Sequence, residues 1–266
     1  MLSLYLILIF GGTVTGFLAG LLGIGGGIVI VPILAFVFHC FPQTSNAYMQ
    51  YAAGSSLGIM MFTAFTSVRH KLRQREVNFT IVKMLAPWII TMNITGAIIA
   101  RFLNPRLLSL LFALTLMGMF IKMLLQKDTH TQKTGRNSER KHMLWGSVIG
   151  LKSGIFGVGG GVISIPYIHS LGHSMRIAIG TSSFFTLIIA VIGSLSFIIT
   201  GITAHISAPW SLGYLYLPAI LCVAPSSMIF SKLGAKLSTK ASLKLLKWIF
   251  LGVLAISATK LMLIAI

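Results

Sequence analysis

The sequence predicts an all-α polytopic membrane protein. It is expected to hold two four-block repeats in inverted topology, each opening with a glycine-broken helical hairpin. Three observations predict this. Only 9% of the 266 residues are charged, against about 25% in a soluble domain, and mean hydropathy is +0.92. Apolar blocks at roughly 2–38, 48–68, 79–100, 107–125, 143–168, 177–200, 213–231 and 245–266 approach or exceed the ~20 residues that cross a bilayer. The run GIGGG (23–27) recurs as GVGGG (157–161), each time inside an otherwise apolar stretch.

The net charge of +18 would point to nucleic acid in a soluble protein. Here the Lys and Arg residues fall almost entirely in short loops between apolar blocks. That pattern is the positive-inside rule, so no nucleic-acid partner is expected. No long two-residue alternation marks a β-barrel. Cys40 and Cys222 have neither metal nor redox spacing. The first block is too long and glycine-rich for a signal peptide and lacks a basic leading region, so it is read as part of the mature protein. No P-loop is present, and no cofactor or metal is expected.

The halves repeat. Residues 16–34 align without gaps to 150–168, with identity at six glycines and one proline. AGSSL (53–57) is set beside GTSSF (180–184), each opening the following helix. Residues 87–103 are set beside 218–234, pairing Pro87 with Pro218 and Arg101 with Lys232. The expected domains are a first transmembrane repeat (1–125), a polar cytoplasmic linker (126–142) and a second transmembrane repeat (143–266).

A continuous helix over 2–38 would measure about 55 Å, nearly twice the ~30 Å hydrocarbon core. Three successive glycines each cost about 1 kcal/mol of helix relative to alanine and admit positive φ. A break is therefore expected near Gly25–Gly27 and near Gly159–Gly161. Charge indicates how the chain continues. If every block crosses, the best orientation places nine Lys and Arg inside and eight outside. If blocks one and five fold back as hairpins, the count becomes fifteen against two, with Arg101 and Arg106 outside. Both termini then lie on the outer side. Each unit makes three crossings, an odd number, so the second unit is inverted and the two breaks meet from opposite faces.

Helices that start after the breaks present free N–H groups and a partial positive charge, which suits an anion. Ser55, Ser56, Thr181 and Ser182 add hydroxyls. Lys152, expected about 14 Å along its helix, either faces the substrate or snorkels to the interface. Lys83 lies only a few residues into its block, where snorkelling accounts for it. Glu76, Asp128 and Glu139 all lie in loops, so no buried carboxylate is available to bind a proton or sodium ion. The competing reading of the glycines is close helix packing. It explains the spaced pairs Gly16/Gly20 and Gly150/Gly154, but not three adjacent glycines, which cannot share one helix face.

The doubled GxGGGxxxxP motif, each copy followed by a small hydroxylated segment, resembles the sulfite exporter TauE/SafE family of membrane permeases over nearly the whole chain. The resemblance implies a permease in a bacterial inner membrane for sulfur oxyanions or organosulfur compounds such as sulfite and sulfonates. By motif match, the family's glycine region falls on Gly25, Gly26, Gly27, Gly159, Gly160 and Gly161. Its small polar residues fall on Ser55, Ser56, Thr181 and Ser182. The chain reads AGSSL where a Gly-Thr-Ser start is typical.

The reading is a secondary-type permease, with a small anion and the lipid bilayer as partners and homo-oligomers left open. Alternatives are an anion channel on the same scaffold and a non-transporting membrane subunit. An intramembrane enzyme is disfavoured, because an in-membrane acidic pair, a His-rich metal motif and a serine elbow are all missing.

Overall fold

The computed structural model describes residues 2–22, 26–125, 139–205, 208–238 and 243–265. Their helices are α1 (Leu2–Leu22), α2 (Gly27–His39), α3 (Tyr48–Arg73), α4 (Phe79–Phe102), α5 (Pro105–Leu125), α6 (Glu139–Phe156), α7 (Gly161–Ser170), α8 (Met175–Thr203), α9 (Leu217–Ser238) and α10 (Leu243–Ala265). The chain is an all-α polytopic membrane protein. Among the described residues, α4, α5, α8 and the first 18 residues of α9 are long and apolar enough to span a bilayer.

Local chemistry sets many of the ends. The Asn78 side chain accepts from the amides of Thr80 and Ile81 and so caps α4. Ser174 caps α8 by accepting from Ile177. α5 opens on Pro105, where a missing N–H costs nothing. Two local expectations need correcting. α6 begins at Glu139, four residues inside the expected linker, and its acidic first residue suits the helix dipole. The stretch before α9 is not helical: β1 (Ser211–Leu212) and β2 (Leu215–Tyr216) pair as a tight hairpin. Its turn residue, Gly213, has φ +58 and lies against the backbone of Ile198.

Blocks one and five each form two helices that double back. Along α1 and α2, Gly11 faces Ile33 and Ala19 faces Gly26. Along α6 and α7, His142 meets Tyr167 and Ile149 meets Gly160. Residue pairs also fix the directions of the other helices. Gly12, Gly16 and Gly20 lie against Val223, Ser227 and Ser231, so α1 and α9 run parallel. Gly146, Gly150 and Gly154 lie against Leu85, Ile89 and Asn93, so α6 and α4 run parallel. α3 and α8 cross antiparallel at the centre, with Gly54 on Phe197 and Leu57 on Gly193. α3 follows α9 (Gly58 on Ile220), and α4 follows α8 (Asn78 on Thr181, Arg101 on Thr203). Thus α1, α3 and α9 point one way and α4, α6 and α8 the other.

The expected packing role of Gly16, Gly20, Gly150 and Gly154 holds. Each brings its helix onto the partner's backbone with no side chain between, which is how membrane helices gain dispersion contacts without a hydrophobic drive. One expected register does not hold. Gly150 lies on Ile89, two residues after Pro87, and Gly16 lies on Ser227, two residues after Pro225. Pro225, not Pro218, thus stands beside α1 as Pro87 stands beside α6. Sequence identity between two apolar helices is too sparse to fix a shift of two turns.

Basic residues gather at one end of the molecule. The close of α3 carries Arg69, Lys71 and Arg73, and the starts of α6 and α8 at the same end carry Arg140, Lys141 and Arg176. Lys71 pairs there with Glu76 at 2.7 Å. Arg101 and Arg106 lie at the other end, joined by Lys260, whose ammonium sits 4.9 Å over the Phe36 ring. Near that end, buried Gln50 donates to the carbonyls of Ala100 (3.1 Å) and Leu103 (2.8 Å), at the close of α4. Gln50→Leu leaves both carbonyls without this donor. It is expected to cost about 1–3 kcal/mol, read as a lower melting temperature in detergent with transport retained.

Candidate functional site

The two helix breaks touch. A Cβ on Gly27 would stand 3.0 Å from the Cα of Val158 and 3.0 Å from Met60 Sδ. Gly26 caps α2 in the left-handed region (φ 77), and its carbonyl accepts from Val29 and Ile30. In the second break the left-handed residue is Gly157 (φ 67), pressed on the backbone of Ala53 in α3. Gly160 caps α7 with φ −67. Gly159 lies against Thr186, and Gly160 against Ile149 and Ile189. Gly161 is the buried first residue of α7. Gly25 lies outside the described residues. The first amides of α2 and α7 have no carbonyl four residues earlier in their own helices, so both starts aim donors at this junction.

Beside the junction is a cavity of about 20 Å³, room for roughly one water molecule. Ile28 and Thr115 line it from the first half, and Lys152, Ser153, Gly159 and Gly160 from the second. Among the described lining residues, Lys152 alone is charged. Because α6 starts early, Lys152 lies about 20 Å along it, one turn before the break. Its ammonium approaches Met119 Sδ at 3.8 Å.

The hydroxyls divide. Ser56 is fully buried, and its Oγ has no hydrogen-bond partner among the described residues. It shares a face of α3 with Ala53, which meets Gly157, and with Met60, which meets Gly27 and Gly159. That face is turned to the breaks. Ser182 also lies near them, but its Oγ accepts from Ser164 Oγ at 2.6 Å. Ser55 and Thr181 are committed elsewhere. Ser55 Oγ accepts from the amide of Tyr216, and Thr181 Oγ1 from the amide of Asn78, each at 3.0 Å. They pin the segments before α9 and α4 to the central helices. Nor do these motifs open their helices as expected: Ser55 and Thr181 lie about two turns inside α3 and α8. Sequence reasoning passed over Ser153, Ser164, Thr186 and Asn93. Each is a polar residue inside an apolar block, and that was a usable signal.

Both ends of this core are closed. At the end near Arg101, the buried rings of Phe38, Tyr51, Phe197 and Tyr214 meet edge to face. At the other, Trp145 stacks on Tyr167, whose hydroxyl lies 2.9 Å from His142 Nδ1. Helix-start amides, hydroxyls and one ammonium around a small pocket are a donor set for an anion.

Membrane-spanning helices that break and fold back around such a pocket define a class, the polytopic membrane transporter. The chain belongs to the sulfite exporter TauE/SafE family, whose model matches residues 8–261. This is a family of membrane transporters, not of enzymes. A probable membrane transporter protein of Haemophilus influenzae is 33% identical over 97% of this chain and 98% of its own length. Probable membrane transporter protein MJ0441 of Methanocaldococcus jannaschii is 26% identical over 94% of the chain and 92% of its own. Probable membrane transporter protein YunE of Bacillus subtilis is 25% identical, covering 90% of each. No solved structure matches.

Proposed function

We propose that this protein is a secondary carrier of a small anion, a sulfur oxyanion or organosulfonate, in the inner membrane. One observation carries the reading: the breaks at Gly26–Gly27 and Gly157–Gly160 meet, and Lys152 lines the cavity beside them. Backbone amides of Gly26, Gly27, Gly159, Gly160 and Gly161 hold the anion, with the Ser56 and Ser182 hydroxyls. Gly25 belongs to the same motif. Lys152 supplies the countercharge. Ser55 and Thr181 act at one remove, by fixing the segments that close each half.

The scaffold is read as an inverted repeat of residues 1–125 and 143–266 joined by the linker 126–142. Contacts support this, because they recur with the halves exchanged. Gly54 lies on Tyr214 while Gly180 lies on Glu76, and Ser55 accepts from Tyr216 while Thr181 accepts from Asn78. Equivalent helices point in opposite directions. The basic end faces the cytoplasm by the positive-inside rule, which places both termini in the periplasm. A carrier is favoured over a channel on the same scaffold by the aromatic closures at both ends of the core.

The test is flux in proteoliposomes. Saturable uptake of sulfite or a sulfonate, accelerated by unlabelled anion inside, is expected of a carrier. Non-saturating flux without counterflow would replace it with the channel, and no flux of any sulfur anion would favour a non-transporting subunit. Orientation has its own test. In a background with Cys40 and Cys222 replaced, Ser211→Cys should react with an impermeant maleimide from the periplasm of intact cells. Reaction only after permeabilisation overturns the assignment.

A further inference from the structure

Asn93 is the most anomalous polar residue in the described core. It sits mid-way along α4, fully buried, and neither Oδ1 nor Nδ2 has a hydrogen-bond partner among the described residues. An amide left this way in an apolar interior carries a substantial desolvation penalty. Two glycines surround it. Its backbone oxygen lies against Gly154 of α6, and its Oδ1 is 3.0 Å from where a Cβ on Gly193 of α8 would stand. The same Gly193 position meets Leu57, the neighbour of Ser56. Gly193 is one helical turn from Ile189, against which Gly160 lies. The amide is thus held one turn from the second break.

Ser56 and Asn93 are both buried with no hydrogen-bond partner among the described residues; Ser56 faces the breaks and Asn93 lies one turn from them. They differ in chemistry from the helix starts and from Lys152, which only donate. A carboxamide offers two donors and one acceptor. A bare oxyanion satisfies the donors and leaves Oδ1 orphaned. A ligand that carries its own hydrogen-bond donor satisfies both atoms. We propose that Asn93 is a specificity-determining residue of the anion site, selecting a monoanion that also bears a hydroxyl, an ammonium or an acidic proton. This rests on the anion-carrier reading above. The physical reason is that a site with an unpaired buried acceptor discriminates strongly against a ligand lacking the matching donor.

The test uses two sulfonates that differ by one hydroxyl, isethionate and ethanesulfonate, and two proteins, wild type and Asn93→Leu. Leucine is close in size and removes the orphaned atoms. The wild type should bind isethionate at least tenfold more tightly than ethanesulfonate. In N93L that ratio should fall to about one, while the ligand-free melting temperature rises by a few degrees. Should N93L not fold, Asn93→Ala gives the same ratio. Equal binding of the two anions by wild type, a preference that survives in the variant, or a lower melting temperature in N93L overturns the role of Asn93 and leaves the anion site standing. Failure of wild type to bind either anion removes the sulfonate reading and this one together.

Discussion

Gly157→Ala is expected to lower the melting temperature by roughly 4–20 °C and to abolish transport. Two costs combine. At φ 67 the backbone is in the left-handed region, which an L side chain enters at about 1–2 kcal/mol. The added methyl would also overlap the Cα, carbonyl carbon and oxygen of Ala53, backbone atoms that cannot rotate away. Overpacking of this kind adds about 1–3 kcal/mol. For a protein of this size each kcal/mol moves the midpoint by about 2–4 °C. The control is Gly159→Ala, whose methyl would meet only side-chain atoms, of Thr186 and, at ordinary contact distance, Met60. That variant should melt near wild type, yet transport poorly because the methyl crowds the second break where it meets Met60 and Thr186. Equal melting temperatures for the two would show that the second break does not seat on α3 as described.

Lys152→Met should weaken anion binding by at least tenfold and leave the melting temperature nearly unchanged. Methionine keeps the length and apolar stem but removes the charge. An ammonium about 5 Å from an anion contributes about 3 kcal/mol at an effective dielectric near 20, so a loss of at least 1.4 kcal/mol is a conservative expectation. Stability should change little, because methionine keeps the apolar stem of this half-buried side chain. Isothermal titration with sulfite, alongside a thermal melt, reads both. An unchanged affinity removes Lys152 from the site and leaves the glycine amides to carry the charge.

The breaks were the most legible feature, because three adjacent glycines in a greasy run have no other economical reading. Which glycine would bend was not legible. Gly26 is left-handed, whereas Gly160, at the same place in the second motif, has φ −67. What each meets also differs: Gly26 abuts Ala19 of α1, and Gly160 abuts Ile149 of α6 and Ile189 of α8. The hydroxyl motifs misled in the same way. Ser55 and Ser56 are adjacent and chemically identical, yet one holds the Tyr216 amide and the other faces the breaks. Neighbours on a helix point about 100° apart, and sequence alone does not say which direction is inward.

Chain composition and order therefore settle what is local. Apolar length sets the spanning helices, glycine runs set where they fail, and the distribution of Lys and Arg distinguishes one end from the other. Each depends on a residue and its near neighbours, or on the solvent they face. Packing alone settles the pairings: Gly16 seated on Ser227, Lys152 carried to the junction, Asn93 left between Gly154 and Gly193 with no partner among the described residues. Those outcomes depend on the rotation and axial register of one apolar helix against another. Many registers bury nearly equal areas, and the choice is made by where small residues let two backbones approach.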